Sequence, residues 1–279
     1  MKYTYYFILT FLFFFSGCSP KKILIKQDFI VSNYFERKIS KLQNSKKPNI
    51  KNNQDLMIAH IEYGFGVIME KSDRLIEKDY SKAMDHYKKA YSHFNSARFL
   101  GNGNLYIKYP NFKDWLKNET TIKFQKNDVK ELYWLAAAYA GAVSSSRGDP
   151  FELIQLPIIK KILNMAVSLE SEWGNGALHS ALMSYTAIRT DLDDSLRIDS
   201  VNFYFNNALN YSDSLDASIF VSYAEIVHKP FQEKKGFKDK LNYALNIKSD
   251  KKKRFELSNL IAKNRAKWLL SNIEEYFIE

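Results

Sequence analysis

Between Tyr80 and Phe94, apolar side chains fall at Tyr80, Ala83, Met84, Tyr87, Ala90, Tyr91 and Phe94, while Lys82, Asp85, Lys88 and Lys89 take the intervening positions. This i, i+3, i+4, i+7 spacing predicts an amphipathic helix with one buried stripe and one wet face. An apolar helix over 55–70 precedes it, with Gly64 and Gly66 at points where a neighbouring helix could approach closely. Similar couplets recur downstream: 132–144 with 157–169, 176–189 with 200–211, and 216–228 with 237–247. A last helix is predicted over 255–277. Gly101-Asn102-Gly103 reads as a helix-ending turn.

Within each second helix, a large side chain precedes an alanine by three residues. The pairs are Tyr87/Ala90, Leu163/Ala166, Phe205/Ala208 and Leu241/Ala244. Large and small side chains interlock in this way in the second helix of tetratricopeptide repeats, and Trp134-Leu135 with Ala138 is similar to a first-helix pattern. The alanines recur 76, 42 and 36 residues apart, so the array is degenerate and carries insertions. The expected fold is all-α, with tetratricopeptide-like helix pairs stacked in a right-handed superhelix.

The chain begins differently. Met1-Lys2 is a minimal basic start, and Tyr3–Phe15 is apolar apart from Thr4 and Thr10. That run has the length of a signal-peptide core and falls short of the ~20 residues needed to span a bilayer. Phe15-Ser16-Gly17-Cys18 then matches the small-Gly-Cys pattern of a lipobox, with Phe15 where Leu is usual. Residues 1–17 are read as a lipoprotein signal peptide and Cys18 as the lipid attachment site, a stable anchor with no transmembrane helix. Cys18 is the only cysteine, so no intrachain disulfide is available. Residues 18–53, rich in Lys, Asn and Ser, read as a tether with one short helix over 28–40. Residues 54–279 form the helical domain.

Composition agrees with helices: 46% of residues are hydrophobic, with 10 Gly and 6 Pro. The net charge of +10 would suit nucleic acid, but an exported chain meets none. Basic runs such as 251–254 are read as solvated flanks, with an acidic partner or anionic lipid head groups as the alternative.

Little in the sequence nominates chemistry. The five histidines, His60, His86, His93, His179 and His228, show no metal-ligand spacing. No Gly-rich phosphate loop, nucleophile elbow or paired acids stand out, so no enzyme, cofactor or metal is expected. Polar and aromatic side chains embedded in apolar helices are the unusual feature. Tyr63, Trp134, Tyr139, His179, Tyr185, Tyr223, Glu225 and Arg265 are the candidates for lining a ligand or partner cavity. A buried Glu or Arg is costly unless paired, so Glu225 and Arg265 have a second reading as an interlock between repeats; both readings can hold together.

Several blocks carry a family likeness. Leu132-Tyr133-Trp134 with its Ala-rich helix, Asp149-Pro150, Leu156-Pro157, Gly176-Ala177-Leu178-His179, Ser222-Tyr223-Ala224-Glu225, Asn259-Leu260-Ile261-Ala262 and Arg265–Leu270 occur in family order. Together they resemble the T component associated with TRAP transporters (TatT), from about residue 54 to the C-terminus. The resemblance implies a periplasmic lipoprotein, a homotrimer with a pore through each subunit, and the substrate-binding P component as partner. It also implies a hydrophobic or organic-acid ligand, and it supplies no catalytic residues. The expected function is therefore docking a P component at the periplasmic face of the inner or outer membrane. A scaffold for envelope assembly is the rival reading, and a cell-wall hydrolase a distant one.

Overall fold

The computed structural model describes residues 28–46, 49–189, 191–248 and 253–278. The signal segment and Cys18 lie outside them. Every regular element among the described residues is helical.

The chain opens with α1 (Asp28–Gln43) and α2 (Ile50–Tyr63), the latter capped by the Asn49 side chain accepting from the Asn52 amide. From α2 the rod continues through a π-helical stretch, Gly64–Met69, into α3 (Glu70–Leu75). Asp79 caps the longest helix, α4 (Tyr80–Lys108). After α5 (Phe112–Leu116) come α6 (Val129–Ser145), α7 (Pro150–Leu153) and α8 (Leu156–Leu169). The remainder is α9 (Ala177–Ala187), α10 (Asp194–Ser212), α11 (Ala217–Tyr223) with a π-helical extension Ala224–His228, α12 (Lys234–Asn246) and α13 (Glu256–Ser271).

The predicted couplets are the packing units. Helix α2 lies on α4, α6 on α8, α9 on α10 and α11 on α12, while α13 packs on both members of the last pair. Each large/small pair is buried: Tyr87 and Ala90, Leu163 and Ala166, Phe205 and Ala208, Leu241 and Ala244. Three apolar clusters run along the stack, in the N-terminal, central and C-terminal thirds. The short helix expected within the tether is α1, and it rests on the body through Ile39 and the stacking of Phe35 on Tyr63.

Packing is tightest around Phe94, which is fully buried between two glycines. A Cβ on Gly64 would lie 2.6 Å from the ring, and one on Gly141 would lie 2.3 Å from it. Burying a Phe fully contributes about 1.5–3 kcal/mol, and here only backbone lines two sides of its slot. The expected close approach thus occurs at Gly64, whereas Gly66 meets open space.

The first helix of the first pair begins at Ile50, five residues before its predicted start, and its rod runs on to Leu75; the three largest differences from expectation lie elsewhere. Gly101-Asn102-Gly103 does not end a helix: α4 runs through it to Lys108. A Cβ on Gly101 would lie 2.7 Å from the Met57 sulfur, so close packing against α2 offsets the ~1 kcal/mol that an interior glycine costs. The final helix stops at Ser271, where the Asn272 side chain donates to the Trp268 carbonyl; a 3₁₀ turn, Ile273–Glu275, replaces its last predicted turns. Finally, α10 starts six residues before its predicted first turn because Asp193 caps it by accepting from the Leu196 amide.

Candidate functional site

The two π-helical stretches converge on one place. Gly64–Met69 leads directly into Glu70 and Asp73, and Ala224–His228 contains Glu225. A π turn adds a residue and rotates the helix beyond it, which is how such turns re-aim side chains at special sites. All three carboxylates point at Arg265 on α13. Its guanidinium donates to Glu225 at 2.6 and 3.3 Å, to Glu70 at 2.8 Å and to Asp73 at 3.1 Å. Its Cζ also sits 4.9 Å from the Trp268 ring centre, and that of Arg74 sits 5.4 Å from the same ring while Arg74 pairs with Glu70. Burial opposes the charge on Arg265, but the three carboxylates outweigh it and hold its pKa well above the ordinary value. Because α3 and α13 lie nearly two hundred positions apart in sequence, this cluster ties the C-terminal helix back to the first helix pair. Tyr87 extends the network by donating to Asp73.

Two further interlocks repeat the pattern. Glu152 is buried, accepts two bonds from Arg98 at 2.8 and 3.0 Å and one from Tyr91 at 2.7 Å. Glu131 accepts from Asn104 at 3.0 Å and from Gln54, and burial raises its pKa. A third site joins α2 to α4 without charge: His60 and His93 face each other, Nδ1 to Nδ1, at 2.7 Å. One ring must donate and the other accept, so the accepting ring is neutral, and burial lowers each pKa to about 4, which leaves both rings uncharged near neutral pH.

The eight candidate residues are dispersed. Glu225 and Arg265 come together, and they bond each other as the interlock reading expects. Tyr63 is buried and donates to Glu36 at 2.9 Å. Trp134 is half-buried beside Tyr133. Tyr139 accepts from Asn102 at 3.1 Å, and Tyr223 donates to Asn202 at 2.6 Å. His179 Nε2 lies 3.0 Å from Ser171 Oγ, while its buried Nδ1 has no partner. That pair has the reach of a nucleophile and base but lacks the third group that would orient the imidazole. Among the described residues, no group of three or more His, Cys, Asp or Glu could hold a metal ion.

Tyr185 marks a feature that sequence reasoning missed, a half-open groove of about 710 Å³ between α5, the α7–α8 segment and the end of α9. Its apolar wall includes Leu116, Leu153, Ile154, Pro157 and Ile188, and its polar wall includes Lys160, Lys161 and Arg189. Arg189 is paired with Asp191. Lys161 Nζ donates to the Trp115 carbonyl and, at 2.6 Å, to Asn118 Oδ1, and it lies 4.5 Å from the Trp115 ring centre. Partial burial lowers its pKa, and neither Lys160 nor Lys161 has a carboxylate within 4 Å among the described residues. The one sequence hint was the set of apolar residues Phe151, Leu153, Ile154 and Leu156 between two predicted helices. The partners Glu70 and Asp73 left no hint at all.

Paired helices locked by buried ionic clusters, with an apolar groove left open on one flank, define an all-α protein whose features are surfaces and interlocks. The chain belongs to the TRAP transporter T-component family (TAtT), whose family model matches residues 43–277. This is a family of transporter accessory components and not of enzymes, and membership gives the chain an accessory role in TRAP transport. An uncharacterized protein of Treponema pallidum (strain Nichols) is 18% identical over 227 residues, 79% of this chain and 70% of that protein. No helix among the described residues is long and apolar enough to cross a membrane.

Proposed function

We propose that this chain is a lipid-anchored T component that docks the substrate-binding P component of a TRAP transport system. The observation that carries the reading is the family match over nearly the whole helical body. Docking needs a rigid platform, and the Arg265 cluster supports that by holding α13 against α3. The lipobox at Ser16-Gly17-Cys18 supports anchoring through Cys18 at the periplasmic face of a membrane, within reach of a periplasmic partner. Assembly as a homotrimer and passage of a small hydrophobic or organic-acid ligand are part of the same reading.

Co-purification with the cognate P component, together with analytical ultracentrifugation, tests it. A stable monomer that captures no P component would count against the docking role. Cys18→Ser should abolish incorporation of a labelled fatty acid and leave the longer uncleaved precursor, because a hydroxyl cannot replace the thiol in lipid transfer; unchanged lipid labelling would refute the anchor.

A further inference from the structure

We infer that the groove between α5, α7–α8 and the end of α9 is the docking surface, and that its partner presents an aliphatic ridge bordered by carboxylates. The inference rests on the proposed T-component role and adds where on the molecule the contact is made. Four large apolar side chains face water there: Phe151 is 80% exposed, Ile154 67%, Ile188 49% and Leu153 42%. Large apolar side chains grouped in this way at the surface mark interaction sites more often than chance clustering. The patch is wider than the cleft. A small molecule seated in the groove would leave Phe151 and the outer face of Ile154 in water, whereas a helix or ridge laid along it would cover both.

Charge selects the partner. Lys160 and Lys161 stand at the groove with no carboxylate of the described residues within 4 Å; the groove's own Asp191 bonds Arg189 and reaches Lys160 only through the longer-range field, and neutral acceptors steer the Lys161 ammonium. Elsewhere in the molecule the buried cations Arg98 and Arg265 are fully matched by acids. Carboxylates flanking the incoming ridge would complete the groove as Glu152 completes Arg98.

The test uses the full-length chain and the purified cognate P component in a pull-down and a titration. Ile154→Asp/Ile188→Asp should weaken capture at least about tenfold, as expected for losing a central apolar anchor. Lys160→Glu should weaken it about three- to tenfold and reduce its salt sensitivity. Phe203→Asp, an exposed site on α10, should leave capture unchanged. All three variants should keep the helical circular-dichroism spectrum. If the unmodified chain captures no P component, the parent reading fails and this one with it. If the chain captures it and both groove variants capture it equally well, the groove assignment alone is wrong. Stoichiometric binding of dodecanoate in the groove that leaves P-component capture unaffected would equally overturn it, by showing a small-ligand site instead.

Discussion

Arg265 and Lys161 are both cations set over a tryptophan, Arg265 at 4.9 Å from Trp268 and Lys161 at 4.5 Å from Trp115, yet their surroundings are opposite. Arg265 meets three carboxylates drawn from two other parts of the chain. Lys161 meets a backbone carbonyl and an amide oxygen, with open groove beyond. The first arrangement satisfies itself and contributes rigidity. The second ties α8 to the end of α5 through neutral acceptors and leaves a positive charge beside exposed aliphatic side chains. The contrast separates side chains that hold the stack closed from side chains available to a partner.

Removing Arg265 should produce the largest effect. Arg265→Met leaves Asp73 and Glu225 facing each other without a counter-ion and Glu70 with Arg74 alone, and breaking a buried pair on one side costs about 3–5 kcal/mol. The melting temperature should fall by roughly 10 °C, and hydrogen exchange should show α13 opening first. A loss under ~2 °C would mean that the cluster contributes little and that the contrast with the groove is false.

Gly141→Val comes next. Its side chain has no space beside Phe94, and overpacking of this kind costs about 1–3 kcal/mol. An unchanged melting temperature would show that the slot relaxes freely.

The pH response should be of middle size. His60 and His93 titrate near 4 in the folded chain and near the ordinary 6.5 when unfolded, so the unfolded state binds more protons between those values. Stability should therefore be fully present above about pH 6.5 and fall as pH drops toward 4, read as a declining melting temperature across that window. His93→Phe should flatten that part of the profile; an unaltered slope would assign the loss to other groups.

Tyr223→Phe, which removes the bond to Asn202, should cost about 1 kcal/mol. The smallest stability effect belongs to the groove. Ile154→Asp should change stability by no more than ~0.5 kcal/mol while P-component capture drops. A large stability loss there would place Ile154 in the core and remove the distinction drawn between the two regions.

Much of the fold was legible in the residue pattern. The helix pairs came from 3.6-residue periodicity, because a stripe of apolar residues at that spacing has one way to leave water. The large/small pairs marked the buried faces for the same reason. Legibility failed at Gly101, where local propensity predicted a stop and a close contact with Met57 overrode it. Of the candidate residues, Glu225 and Arg265 were found because a charge inside an apolar stripe is anomalous on sight. Glu70, Asp73 and Lys161 were missed because charges on the outward face of an amphipathic helix look solvated whether or not they are.

The amino-acid pattern alone determined the helical class, the couplets and the faces that would be buried, since each depends on residues within a few turns of one another. Tertiary structure decided which charges are neutralised, which glycines are contact points and which aliphatic side chains stay in water. Those outcomes depend on segments as far apart as α3 and α13, and no local spacing encodes a distance between elements that only packing brings together.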